Sequence, residues 1–144
     1  MTKTFSAQLA DIEKLLVEDI EYVMKQSISD VLVAAQTTQI GITQGASSFE
    51  KGKIPVGLTA ELVNSLTVDG ASGPDSYVTV IAGMEIGDVK RFAWTAPHAM
   101  RIEAGFTGTD SLGRKYNQEG RHFVGSNAAR FAEFVRQRRA EVGR

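Results

Sequence analysis

From Ala7 to Gln36 the chain runs without a proline or glycine, and Leu9, Ile12, Leu16, Ile20, Val23, Ser27 or Ile28, and Val31 recur at spacings of three and four. That period keeps one stripe on one side of a helix. Thr4 or Ser6 is placed to cap it, with Asp11 and Glu13 near the positive end of the dipole and Lys25 further along. A helix over 7–36 would reach about 45 Å at 1.5 Å per residue. A compact domain of this size has a radius of gyration of only about 14–15 Å. The helix must therefore kink or protrude, and a protruding apolar stripe needs cover from outside its own domain.

The rest of the chain breaks into shorter pieces. Residues 37–53 (TTQIGITQGASSFEKGK) carry no sustained period and read as a loop. Loops this long are uncommon in a small domain unless they are binding elements or disordered until bound, and Ile40, Ile42 and Phe49 are apolar anchors that a plain solvent loop does not need. Pro55 closes the segment, and Thr59 is expected to cap a short helical turn, TAELVNSL. A hairpin-rich middle over 59–104 follows. Leu66 and Val68 alternate with polar residues, 69–75 is turn chemistry, and Tyr77 to Ile81 is expected as the returning strand. Val89 to Trp94 offers a third strand, and Ala96 to Ala104 a short helix stopped by Gly105. Residues 105–122 form a second long excursion, a hairpin arm or an extended loop, bearing Phe106, Leu112 and Tyr116. A last helix spans 126–142, capped by Ser126, with Ala128, Phe131, Ala132 and Val135 on its apolar face.

This order implies an α+β fold in one domain, 1–144. A long N-terminal helix and a C-terminal helix pack on a small, mainly antiparallel sheet, with two long protruding loops. The 144 residues, 42% hydrophobic and 23% charged, suit one globular domain. The absence of cysteine removes disulfides and every Cys-based metal or thiol chemistry. No apolar run is long enough to span a membrane, and acids interrupt the N-terminus where a secretory signal would be apolar, so a soluble protein is expected. A net charge of −1 argues against a dedicated nucleic-acid binder.

Catalytic chemistry finds little support. His98 and His122 lack partners at metal-ligand spacing, and His98 and Glu103 are five apart, on different faces of a helix. No nucleophile elbow, phosphate-binding loop or dinucleotide fingerprint is present. No catalytic residue, metal or cofactor is assigned, and the expectation is a protein that is not an enzyme. Charge is the more informative feature. Residues 1–36 hold three lysines against six acids, and 130–144 hold five arginines against two glutamates. Solvated helix faces explain this, as does a basic face turned to phosphate or to an acidic neighbour. Opposite charges on different faces also suit head-to-tail association of identical copies, which closes into a ring.

Three stretches extend this reading. Pro55-Val56 precedes Thr59-Ala60-Glu61-Leu62-Val63-Asn64-Ser65; His98-Ala99-Met100-Arg101-Ile102-Glu103-Ala104-Gly105 follows; and Gly120 to Ala128 re-enters through Phe123. In order and spacing they resemble the tail-completion, or head-tail joining, proteins of tailed-bacteriophage necks. That family has Pro-Val before T-G-x-L-x-x-S, then Y-A-x-x-V-E-F-G, then a hydrophobic return before the last helix. Here Ala60 stands at the usual glycine, the first spacing is one residue longer, and His98 and Ala104 stand at aromatics.

The resemblance implies a non-enzymatic virion subunit, a homo-oligomeric ring of six copies, made in the host cytoplasm. It would join head connector and adaptor proteins to the tail tube or its terminator, with transient, non-specific passage of DNA and no membrane partner. A tail terminator is the alternative within this class; a small α+β enzyme or ligand-binding domain is the alternative outside it. Ile40, Ile42, Phe49, Phe106, Leu112 and Tyr116 would contact neighbouring subunits or rings. Arg130, Arg136, Arg138 and Arg139 would face the lumen. Pro55, Thr59, Leu62, Ser65, Ala99, Glu103, Gly105 and Phe123 would carry the motif. Of these, Leu62 with Leu66 would bury the short helix, and Ile102 would pack beneath the sheet. Glu103 would bond a backbone group or an arginine, unless it is simply an exposed acid.

Overall fold

The computed structural model describes residues 2–41, 44–57 and 59–143. Helix α1 spans Phe5–Ala35, and Thr4 caps it by accepting a hydrogen bond from the Ala7 N–H at 3.1 Å. Two short strands, β1 (Thr38–Gln39) and β2 (Ile54–Pro55), pair in parallel. Helix α2 (Glu61–Asn64) leads into β3 (Leu66–Val68), which pairs antiparallel with β4 (Ala71–Ser72) on one side and β5 (Ala93–Trp94) on the other. Helices α3 (Ser76–Ala82) and α4 (Ala99–Ala104) flank β5 in sequence. The hairpin β6–β7 (Gly105–Thr109 and Lys115–Glu119) precedes α5 (Gly125–Ala128) and α6 (Phe131–Glu141). The fold is α+β, with long N-terminal and C-terminal helices and small, mostly antiparallel sheets.

Two apolar clusters hold these pieces. Ile54, Leu62, Val63, Ala96 and Phe123 pack on Ala35 at the end of α1, while Leu66, Tyr77, Ile81 and Met84 pack on Leu32 one turn earlier. Each fully buried side chain of this size contributes about 1.5–3 kcal/mol of transfer free energy. Trp94 belongs to both clusters. It meets the Phe123 ring edge-on at 5.3 Å and donates its indole N–H to Gln36 Oε1 at 2.8 Å. Gln36 then donates to the carbonyls of Val63 and Pro74, so one amide fixes the exit from α1 against three other segments.

Several expectations change. Tyr77 to Ile81 is not a returning strand but the body of α3. The turn is only Asp69-Gly70, both at positive φ, so the strand returns at once as Ala71–Ser72 and stops before Pro74. Past the proline, Tyr77 and Ile81 lie one helical turn apart and both reach the core; burial outweighs the β propensity of YVTVI. The third strand shortens from Val89–Trp94 to Ala93–Trp94, and the helix expected from Ala96 begins at Ala99. Thr59 does not cap α2. The cap position is Ala60, at φ 53 with no side-chain bond. Ser126 does not cap the last helix either, since it sits inside α5 and donates its hydroxyl to the His122 carbonyl. The 126–142 helix is broken at Ala129-Arg130, and its buried residue is Phe134, with Ala128, Phe131 and Ala132 exposed.

Candidate assembly surface

Helix α1 protrudes rather than kinks. Its second half supplies the buried Ser27, Leu32 and Ala35, whereas Phe5, Leu9, Ile12, Leu16 and Ile20 are all at least half exposed. These exposed residues continue the stripe that is buried further along, so the sequence has drawn one apolar face longer than the protomer can cover. The total is visible in the surface area. The chain exposes 9496 Å², where a compact protein of 15.6 kDa exposes about 7,200 Å². An excess of roughly 2,000 Å² is comparable to two standard subunit contacts of about 800 Å² per partner.

Beside this arm, α6 packs antiparallel along α1. Arg138 donates to both Asp30 carboxylate oxygens, from Nη2 at 2.7 Å and Nε at 2.8 Å, and its Nη1 reaches Glu141 at 3.1 Å. Glu141 in turn accepts from the Tyr22 hydroxyl at 2.6 Å. The Tyr22 bond holds the Glu141 carboxyl below its ordinary value, and the same bond raises the Tyr22 phenol. Arg138, expected to face a lumen, is thus committed inside the protomer. Arg130 sits over the Phe134 ring and pairs with Glu133. Arg136 and Arg139 are exposed and make no ion pair among the described residues. Between the two helices lies an open groove of about 350 Å³ lined by Ile20, Val23, Met24, Phe131, Val135 and Val142, with Asp19 and Arg139.

The hairpin β6–β7 is the second projecting element. Phe106 lies under the Arg101 guanidinium at 4.1 Å and beside the Tyr116 ring at 6.0 Å, so its aromatic face is largely used within the protomer. Leu112 at the tip is 75% exposed and Tyr116 is 39% exposed. Asp110 organises the tip by accepting from the backbone N–H groups of Leu112 and Arg114, the Arg114 side chain and the Tyr116 hydroxyl. Burial works against its charge, but these bonds prevail and keep the Asp110 carboxyl below its ordinary value.

The segment 37–53 is held against the protomer. Gln39 clamps it through bonds to the carbonyls of Glu50 and Lys53 and from the Glu50 N–H. Phe49 is half-buried under the Arg121 guanidinium at 4.0 Å. Gly52 bonds to both Arg121 and Asn127. Ile40 stays 63% exposed, and Ile42 lies outside the described residues. Arg121 escaped the sequence reading, although its position just before the apolar return His122-Phe123-Val124 was a signal. It is 2% exposed, Nη1 donates to the Glu119 carbonyl at 2.8 Å, and Nε has no partner among the described residues. Burial lowers its pKa, with the Glu119 charge acting in the opposite direction.

The motif residues gather in one place. Leu62 and Phe123 are core, Ala99 and Ile102 pack against them, and Pro55 adjoins the buried Ile54 in β2. Ser65 donates its hydroxyl to the Leu62 carbonyl. Glu103 is no idle surface acid. Its carboxylate accepts from the backbone N–H of Val124 at 2.9 Å and of Gly125 at 2.8 Å, while Arg121 and His122 bond to the carbonyls of Ile102 and Glu103. This seam needs glycine at both ends. Gly105 has φ 89, and a Cβ there would stand 2.6 Å from the Gln118 carbonyl oxygen; one on Gly120 would collide with the Glu103 carbonyl. These residues build the protomer, and the exposed apolar ones lie elsewhere.

His98 lines a cleft of about 220 Å³ with Pro55, Val56, Ile102, Gln118 and Arg121. No group of three His, Asp or Glu side chains suited to a metal ion occurs among the described residues, and no helix there is long and apolar enough to cross a membrane. No family model, curated protein or solved structure matches the chain.

Proposed function

We propose that this chain is a structural subunit that assembles with copies of itself, and that the assembly is the ring joining head connector to tail tube in a tailed-phage neck. The observation that carries the first part is the α1 arm: a continuous apolar face that leaves its own domain and stays uncovered. Exposed apolar area on this scale marks an interaction site. The second part rests on the motif resemblance, and two details of the geometry support it. The position where the pattern has glycine is here Ala60 at φ 53, in the left-handed region that glycine favours. The glutamate of the second stretch bonds the backbone of the third, which gives the order of the motifs a physical reason.

In this reading the protein is not an enzyme and carries no cofactor. Ile40, Leu112 and Tyr116 are the exposed members of the contact set, and of the arginines expected at a lumen Arg130 keeps that role beside the sliding DNA. The chain acts in the virion, after assembly in the host cytoplasm. The test is electron microscopy of the purified protein mixed with connector-bearing, tailless heads and, separately, with free tail tubes. Ring density on the connector supports joining, and ring density on tube ends alone transfers the role to a terminator. Binding to neither overturns the neck assignment.

A further inference from the structure

We infer that the exposed half of α1, residues 5–18, lies in the α1/α6 groove of a second copy of this chain, a head-to-tail contact that rests on the self-assembly reading above. Helix α6 ends level with Tyr22, where Glu141 meets the tyrosine hydroxyl, so residues 5–18 extend about 20 Å beyond it. Phe5, Leu9, Ile12 and Leu16 follow one another at spacings of four, three and four and share one side of that extension. The groove presents the complementary surface, a nearly all-apolar trough between two helices, of the kind that receives an amphipathic helix. The arm cannot fold back into its own groove, because α1 is a single helix with no proline or glycine at which to bend.

Charge selects the occupant. Within residues 5–18 the arm carries Asp11, Glu13 and Glu18 against Lys14; Asp11 pairs with Lys3, and Glu13 flanks the apolar stripe. The groove side carries Arg139 in its lining and Arg136 on the same helix, neither spent on a partner among the described residues. Arm against groove places acids beside these arginines; arm against arm places acids beside acids. The donor and acceptor surfaces differ, so the contact is heterologous and repeats from copy to copy until it closes. A symmetric arm-to-arm contact would end at a dimer.

The chain contains no cysteine, which makes the contact directly readable. One preparation carries Ile12→Cys and another Val135→Cys, and the two are mixed and mildly oxidised. Within one copy these positions are roughly 16 Å apart along α1, beyond disulfide reach. The expected product is a disulfide between the two different chains, and a ladder of oligomers when one chain carries both substitutions. Leu16→Cys with Phe131→Cys repeats the test if the first pair perturbs folding. Arg136→Glu with Arg139→Glu should weaken assembly by about tenfold or more, and Glu13→Arg on the arm should restore part of it. Disulfides joining only Ile12→Cys to Ile12→Cys would overturn the groove in favour of paired arms. Assembled protein with no cross-link at either pair would overturn this contact and leave self-assembly standing. A chain that is monomeric at every concentration would overturn both.

Discussion

Removing the Glu103 carboxylate should loosen the joint between α4 and α5. Its two oxygens accept from Val124 and Gly125 at 2.9 and 2.8 Å, and those N–H groups have no other acceptor among the described residues. Hydrogen bonds to a charged group contribute about 1.5–3 kcal/mol each, and a buried orphan donor costs about 1–3 kcal/mol. Gly125 is exposed and Val124 half-buried, so water recovers part of the loss and the lower end applies. Glu103→Ala should therefore destabilise by about 2–3 kcal/mol. Glu103→Gln, which keeps one acceptor but turns an NH₂ towards the other donor, should cost about 1–2 kcal/mol. In a chain of this size that is a fall in Tm of roughly 4–10 °C for the alanine variant. Urea unfolding followed by circular dichroism measures both, with m unchanged if only the native state is affected. A loss below about 0.5 kcal/mol for Glu103→Ala, the range of ordinary surface substitutions, would show that the carboxylate is a solvated helix acid and refute the joint.

Three further outcomes are expected. Gly105→Ala places a Cβ 2.6 Å from the Gln118 carbonyl oxygen at φ 89, so it should cost about 3 kcal/mol or more, read as loss of soluble protein or a collapsed Tm. Ser27→Ala should raise stability by about 1 kcal/mol in urea, because the Ser27 hydroxyl is fully buried without a hydrogen-bond partner among the described residues. The Asp110 carboxyl is held below its unfolded value, so its support of the hairpin tip is complete above that value, about pH 4, and is lost as pH falls through the folded one. The protection factors of the Leu112 and Arg114 amides, taken against the intrinsic exchange rate at each pH, should fall in acid, and protection unchanged between pH 5 and 2 would contradict this.

The parts of this molecule that were legible beforehand are those where local pattern and tertiary fate agree. The period from Ala7 to Gln36 announced both the helix and its excess length, since a stripe can be read whether or not anything covers it. The 105–122 excursion was half legible: its polar, Gly-containing composition left a hairpin arm and an extended loop both open, and the pairing of Gly105–Thr109 with Lys115–Glu119 makes it the hairpin. Tyr77 to Ile81 was illegible because five β-favouring residues also place Tyr77 and Ile81 one helical turn apart, and only the core decides between the two. Arg121 and Gln36 were missed because their roles depend on segments distant in sequence: a ring from Phe49, and carbonyls from Val63 and Pro74. Phe49 illustrates the limit from the other side. Its apolar character was visible, but whether a neighbouring copy or its own Arg121 shields it was not.

Light scattering across a hundredfold dilution series, on the intact chain and on Leu9→Ser with Leu16→Ser, bears most directly on why this helix outruns its domain. Both leucines are about half exposed, so the substitutions leave the protomer's packing intact. The intact chain should weigh an integer multiple of 15.6 kDa, and the variant should weigh 15.6 kDa with an unchanged circular dichroism spectrum. Equal masses for the two would mean that the stripe covers nothing and that copies, if they meet at all, meet elsewhere.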